Sequence, residues 1–309
     1  MAEADNFFRD TPEPPNFVEK KRKIEEFVAR HSNGDTPVVL VTSGGTNVPL
    51  EGNTVRFIDN FSIGTRGSAS AEYFLEHGYA VIFLHRGRSL QPFTRHLPQR
   101  QLLDILEVQT GASGENQLCV KHDQSKTLFA VVEKYQKVQN EGRLLMVDFT
   151  SLTDYLHLLR ASSLIMDKLG NKAFLYLAAA VSDFYIPRDK MPLHKVQSSN
   201  GPLQLSLELV PKMLDALVKN WVCSAYVVSF KLETDPNLLI MKAQQALEKY
   251  EHQLVIGNVL DTRKIEVVFV TNNDEQWIKL EQEEIDTGVE IESKIVTSLV
   301  ERHRQFLNE

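Results

Sequence analysis

Short, wholly apolar runs recur along this chain, and most are followed by a loop and a segment with helical spacing. "VVLV" (38–41), "AVIFL" (80–84), "LLMV" (144–147) and "AYVV" (225–228) show no polar alternation. A strand with one wet face alternates apolar and polar residues, so runs like these belong to a sheet covered on both faces. The first two runs bracket glycine loops and a helix expected over 65–77, with Gly78 at its C-cap. A strand over 79–86 completes a βαβ unit, whose crossover should be right-handed.

The same rhythm continues with a helix at 126–139, a strand at 143–149, a helix at 151–168 and a strand at 173–183. "HKVQSSNGPLQLSLELV" (194–210) interrupts it with two alternating segments around Asn200-Gly201, a β-hairpin signal. A short helix at 210–220 and a strand at 225–230 follow. Asp235 as N-cap and Pro236 at N1 then open a helix with Ile240, Ala243, Leu247 and Tyr250 on one stripe. Strands at 253–258, 265–271 and 276–280 and a helix at 289–306 end the chain. These elements predict an α/β fold: doubly wound and Rossmann-like, a mostly parallel sheet with helices on both faces and a β-hairpin annex. Two stretches stand outside it. Residues 1–35 read as a mobile leader (1–15) and a helix (16–30) whose "KKRK" is a solvated face. Within the single domain 36–309, residues 87–125 lose periodicity and read as an insertion over the fold or against a partner subunit.

Bulk properties exclude several function classes. Of 309 residues, 42% are hydrophobic and 24% charged, an ordinary globular composition with material for a sizeable core. A net charge of -7 leaves no basic footprint for nucleic acid. The longest apolar run, "FLYLAAAV" (174–181), is far short of the roughly 20 residues that span a bilayer. The acidic, proline-dotted start has neither a signal-peptide core nor transit-peptide character. Cys119 and Cys223 form no CxxC pair, so a reducing, cytoplasmic setting fits, with Cys223 expected as a buried structural thiol. No metal-ligand spacing is present.

Doubly wound sheets bind ligands beyond the carboxyl ends of their strands. At those ends stand Gly44 and Gly45, then Ser182 and Asp183, then Lys231 and Glu233, then Asn258, with Lys195 beyond Asp183. "SIGTRGSAS" (62–70) adds Ser62, Gly64 and Gly67 at a helix start, where bare amides and the helix dipole suit phosphate. Each has an ordinary reading too: a tolerated glycine, an Asx turn for Asp183, a solvated Lys195, a turn residue for Asn258. Neither glycine loop matches a Walker A or a strict GxGxxG pattern. The second strand ends in "HRGR" without an acidic residue for a ribose 2′-hydroxyl. An NADP-dependent oxidoreductase would have to use Arg86 and Arg88, and no Tyr-x3-Lys dyad accompanies them.

"VTSGGTNVPLEGNTVRFIDNFSIGTRG" (41–67), "AAAVSDFY" (178–185) with "HKVQSS" (194–199), "SFKLETD" (229–235) and "GN" (257–258) together resemble the phosphopantothenate–cysteine ligase family, in family order, from about residue 36 onward. "SFKLETD" and the long insertion resemble its eukaryotic, monofunctional type. The resemblance implies ATP-dependent ligation of 4′-phosphopantothenate to cysteine through an acyl-nucleotidylate, in coenzyme A biosynthesis. It also implies Mg²⁺, no flavin, and a homodimer with shared active sites. Carried over by position, Gly44, Ser62, Gly64, Gly67, Phe230 and Asn258 bind nucleotide. Arg56, Asn60, Ala179, Ala180 and Asp183 bind phosphopantothenate, and Asn60 and Lys195 take part in the chemistry. The family commonly has Ser-Ser-Gly where this chain has Ser62-Ile63-Gly64. A non-catalytic nucleotide-binding protein on the same fold is the remaining alternative, and Ile63 is its support.

Overall fold

The computed structural model describes residues 2–97, 102–110, 114–198 and 201–308. Two helices open the chain, α1 (Ala2–Asp10) and α2 (Phe17–Ser32). The start expected to be loose is instead docked: Phe7 and Phe8 are buried, Phe7 edge-on to Tyr185 and Phe8 edge-on to Trp221. Burying the two phenylalanines contributes about 1.5–3 kcal/mol each toward the entropic cost of ordering this nine-residue helix, which prolines then end. On α2 the basic run is solvated as expected, with i,i+4 pairs Glu19–Lys23, Lys21–Glu25 and Arg22–Glu26, while Ile24, Phe27 and Val28 turn inward.

Strand β1 (Val38–Ser43) leads into a small antiparallel pair, β2 (Asn47–Pro49) and β3 (Phe57–Asp59). Helix α3 (Thr65–Glu76) and strand β4 (Ala80–Arg86) follow, with Gly78 at φ +87 just past the helix C-cap. The expected insertion has structure of its own. Arg95 clamps its start to Glu72 (Nε–Oε1 2.7 Å) and Glu290 (Nη1–Oε1 2.5 Å). Strands β5 (Leu106–Thr110) and β6 (Asn116–Val120) then form a hairpin with Val108 and Leu118 exposed. Helix α4 (His122–Asn140) begins four residues before the expected start at 126. Strand β7 (Leu144–Phe149), helix α5 (Leu152–Met166, capped by the Ser151–Asp154 box) and strand β8 (Ala173–Leu177) resume the α/β rhythm.

The strand expected through Asp183 ends at Leu177, because residues beyond it give their amides elsewhere, as described below. The hairpin expected around Asn200 is also replaced. Asn200 lies outside the described residues, and the flanking described residues 191–198 and 201–207 are not strand. Instead β9 (Phe184–Tyr185) pairs antiparallel with β10 (Glu208–Leu209), so the annex joins the two ends of this stretch. Helix α6 (Met213–Ala216) is short and runs into a π turn. Cys223, expected buried, is exposed, its thiol donating to the Lys219 carbonyl at 3.3 Å. Strand β11 (Tyr226–Glu233), helix α7 (Pro236–Tyr250), strands β12 (Leu254–Val259), β13 (Glu266–Val270) and β14 (Glu275–Lys279), the short α8 (Gln282–Asp286) and α9 (Ile291–Phe306) finish the chain. The Asp235 cap accepts from the Asn237 amide at 3.0 Å, as the Asp-Pro start predicts.

Among the described residues eight strands form one sheet in the order β14-β13-β12-β11-β8-β1-β4-β7, in which β13 alone runs against the others. The chain leaves β1 toward β4 and β7, then returns to β8 and proceeds to β11 and β12. The strand order therefore reverses between β1 and β8, where α/β sheets open a crevice at their carboxyl ends. One face packs under α3 and α9 around Phe74, Phe83 and Phe174, the other under α2, α5 and α6 around Leu40, Ile82 and Leu175.

Candidate functional site

The crevice is shaped by close backbone contacts across the β1/β8 switch. Gly44 accepts from the Ala180 amide at 2.9 Å, and the Thr46 amide donates to the Ala180 carbonyl at 3.0 Å. The hydroxyls of Thr42 and Thr46 accept from Ala179 (3.1 Å) and Ser182 (3.0 Å). These four bonds lay 178–182 against the β1 loop instead of continuing β8. The Asn60 amide donates to Thr46 (3.1 Å), which brings the end of β3 over the same loop.

Glycine is required where these segments touch. A Cβ on Gly45 would stand 1.7 Å from the Asn60 carbonyl oxygen, and one on Gly67 would stand 2.5 Å from Ser43 Cβ. Gly64 (φ +86) is the N-cap of α3, and its carbonyl accepts from Ser43 Oγ at 3.2 Å. The two glycine loops are thus back to back on Ser43. Gly67 packs on Ser43 and Gly44 on Arg86 and Ser89, whereas Gly64, itself close to Ser43 and Ser89, also lines the crevice.

The crevice has a volume of about 760 Å³ and straddles the sheet edge. Asn60, Ser62, Gly64, Ala179, Ala180, Asp183, Phe230 and Asn258 all line it. On the α3/α9 side Phe230 stacks edge-on to Tyr176 at 5.0 Å, so it is a core ring with one border on the cleft. Arg66 reaches across that side to Glu292 (Nη1–Oε1 2.9 Å) and to the Arg263 carbonyl. Burial raises the Glu292 carboxyl, opposed by the Arg66 guanidinium. On the α5/α6 side the walls are mostly apolar, with Leu156, Leu159, Leu177, Met213 and Leu217 beside the rings of Tyr155 and Tyr250. Asp183 sits at this mouth with Lys212 Nζ 3.5 Å away. Among the described lining residues, Arg66, Lys212, Lys231, Arg263 and Lys264 outnumber the carboxylates Asp183 and Glu292. A chain of net charge -7 therefore concentrates cations in this one crevice, which suits polyanionic ligands.

Arg56 and Lys195 do not line the crevice. The Arg56 guanidinium lies 3.0 Å from buried Glu51 and donates to the Val196 carbonyl at 2.6 Å. Burial alone would raise the Glu51 carboxyl, but amides of Arg56, Val55 and Val196 with the guanidinium hold it below the usual range. Amides of Gly52 and Asn53 donate to Pro192 (2.9 Å) and Leu193 (2.8 Å). The loop carrying Arg56 and the segment carrying exposed Lys195 are one stitched unit. Ile63 is 54% exposed, and its carbonyl accepts from the Leu90 amide at 2.7 Å, so its side chain leaves the loop backbone intact. Arg86, the candidate for a 2′-phosphate, is engaged by Asp59.

Residues 148–302 match the family described as DNA/pantothenate metabolism flavoprotein C-terminal domain. The mouse phosphopantothenate–cysteine ligase is 47% identical over 308 residues, covering 99% of both chains. The chain belongs to the phosphopantothenate–cysteine ligase family. The human ligase is 46% identical, covering 100% of this chain and 99% of its own. A solved structure of a Cab2 mutant in complex with phosphopantothenate-cysteine superposes with TM-score 0.88 at 39% identity, covering 98% of each chain. Sequence reasoning named Lys231 but missed the lining cations Arg66, Lys212, Arg263 and Lys264 and the carboxylate Glu292. Arg66 was legible, since it stands inside "GTRG". Lys212 was hidden as one polar residue of a short helix, and Arg263, Lys264 and Glu292 meet the crevice only through the return of β13 and α9.

Proposed function

We propose that this chain ligates 4′-phosphopantothenate to cysteine at the expense of ATP, giving phosphopantothenoylcysteine, AMP and pyrophosphate. One observation carries the reading: a glycine-capped helix N-terminus and the 178–183 loop meet across a single cation-rich crevice. The pantothenate carboxylate attacks the α-phosphorus, forming the acyl–phosphate bond as the bond to pyrophosphate breaks. The cysteine amine then attacks the acyl carbon, AMP leaves, and the amine loses a proton. Ser62, Gly64 and the α3 N-terminus hold phosphates, with Phe230 and Asn258 beside the base and ribose, Gly44 and Gly67 shaping the cradle from behind. Ala179, Ala180 and Asp183 bind the acid. The Asn60 amide donates to the acyl oxygen without adding charge, and the Lys195 ammonium offsets charge developing at the reacting centre.

No cluster of three or more His, Cys, Asp or Glu side chains suited to a metal occurs among the described residues. Magnesium fits here as an ion arriving with the triphosphate, ligated by phosphate oxygens and water, where it neutralises charge. No helix of the described residues is long and apolar enough to cross a membrane. We place the ligase in the cytoplasm.

Pyrophosphate release from ATP is expected to require phosphopantothenate, and AMP release to require cysteine as well. Release that ignores both acids would remove the reading.

The working form we propose is a homodimer with shared sites. Phe61 lines the crevice and is 88% exposed, Val55 and Phe57 are exposed on either side of Arg56, and the unit holding Arg56 and Lys195 lies outside its own crevice. Each unit then serves the partner's site. Mixing Lys195→Ala with Asn258→Asp subunits should restore about a quarter of wild-type turnover, since half of random dimers are mixed and each has one intact site. No restoration after verified subunit exchange would place Lys195 within its own subunit's site.

A further inference from the structure

The apolar side of the crevice holds one buried polar pair that the reactions above leave unused. Ser229 lies on β11 in register with Leu177 of β8, and shares a strand face with Val227. Val227 and Leu177 both belong to the α5/α6 side, as does Ala179, so Ser229 stands beneath the loop proposed to bind the acid. It lines the crevice, and its Oγ is 2.7 Å from His252 Nε2. His252, just past α7, is 2% exposed, and its Nδ1 is buried without a hydrogen-bond partner.

Burial pushes this imidazole down to about 4, so the ring is neutral and carries a single N–H. A proton on Nδ1 would bury a donor with no acceptor, and orphaned buried N–H groups are rare. With the proton on Nε2, the ring donates to Ser229 Oγ. The serine hydroxyl hydrogen is then free to point into the crevice, whose wall on this side is mostly apolar (Leu156, Leu159, Met213 and Leu217) with the phenols of Tyr155 and Tyr250 among the lining groups. A neutral donor between apolar walls suits an uncharged carbonyl, whereas a phosphate would seek the cations at the mouth.

We infer that Ser229 donates a hydrogen bond to the amide carbonyl of the acid substrate, and that His252 is the positioning residue that aims its hydroxyl. The identity of that acid rests on the ligase reading. Geometry supports the pairing independently, because a serine forced to accept from His252 has its own proton left for a ligand.

Ser229→Ala should raise KM for phosphopantothenate about tenfold, the equivalent of ~1.4 kcal/mol, while KM for ATP stays within about twofold. His252→Phe should give the same split, and His252→Gln, whose amide can still donate, should recover most of it. On the Ser229→Ala background His252→Phe should add nothing, as expected for two members of one interaction. Calorimetric titration with phosphopantothenate, in the presence of a non-hydrolysable ATP analogue, should show the same loss in affinity. An unmoved KM for the acid in Ser229→Ala, equal shifts in both KM values, or additive effects in the double variant would each overturn the inference. Ser229→Ala deletes one oxygen and remains decisive if circular dichroism shows that the histidine variants fold poorly. A wild-type chain without phosphopantothenate-dependent pyrophosphate release overturns the function and this assignment together, whereas an active wild type with an unmoved Ser229→Ala overturns this assignment alone.

Discussion

Gly45→Ala is expected to lower ligation by about 10²-fold or more, the scale that a misplacement of about 1 Å produces in a reacting geometry. The added Cβ would stand 1.7 Å from the Asn60 carbonyl oxygen and 2.8 Å from its carbonyl carbon. Both are backbone atoms, so no rotamer change relieves the clash. The end of β3 must move, taking Asn60 and Ser62 away from Ala180 and Gly64. Turnover should therefore collapse, and the melting temperature should fall as the Asn60–Thr46 bond is lost. Gly78→Ala provides the contrast: open space surrounds its Cβ, and only the positive φ of +87 is costly, about 1 kcal/mol of stability. Its turnover should match wild type at a temperature where both are folded. A fully active Gly45→Ala enzyme would show that the β1 loop and Asn60 need no fixed spacing.

Asn60→Asp should reduce kcat by about 10²–10³-fold, the range seen when one preorganised donor to a developing charge is lost. The substitution is nearly isosteric, so packing around β3 is kept. Its chemistry inverts, because the carboxylate accepts where the amide donated. It also adds a negative charge to a crevice that must bring a carboxylate to a triphosphate. ATP affinity should fall only modestly, because the cations on the α3/α9 side, Arg66 and Arg263, remain. Rapid-quench measurement of the acyl-nucleotidylate alongside fluorescence titration with ATP separates these effects. Unchanged turnover would remove Asn60 from the chemistry, and a parallel collapse of ATP binding would make it a nucleotide residue.

The sheet and its two covered faces were legible because apolar periodicity is a local signal, read within a single element. Asp235-Pro236 and Gly78 were legible for the same reason. Strand β8 was overextended since "AAAV" satisfies apolarity equally as strand or as crevice wall. Its end is decided by the β1 loop, 136 and 137 residues away in sequence at the hydroxyl contacts of Thr46 and Thr42, together with the backbone bonds of Gly44 and Thr46 to Ala180. The pairing of β9 with β10 was hidden because two-residue strands carry no period. The site followed the same division. Gly64, Ser62 and Asn60 stand in one contiguous motif that could be read, while Ser229 and His252 acquire meaning only across β11 and α7. Gly44 and Gly67 were read as ligand contacts from the residue type that close packing, on Arg86 and Ser89 for Gly44 and on Ser43 for Gly67, equally demands.

The docked first helix makes the packing behind Tyr185 optically visible. Phe8 lies edge-on to Trp221 at 5.7 Å, and Arg160 stacks over the Phe8 ring at 4.7 Å. Phe7 meets Tyr185 at 5.3 Å, two residues from Asp183. Trp221 is 6% exposed, whereas Trp277, the other tryptophan of the chain, is 47% exposed. The two indoles therefore emit from different environments, and iodide or acrylamide quenches them unequally. The blue, shielded component reports on the seat of residues 7 and 8, and so gives a spectroscopic handle on the backing of the acid-binding loop.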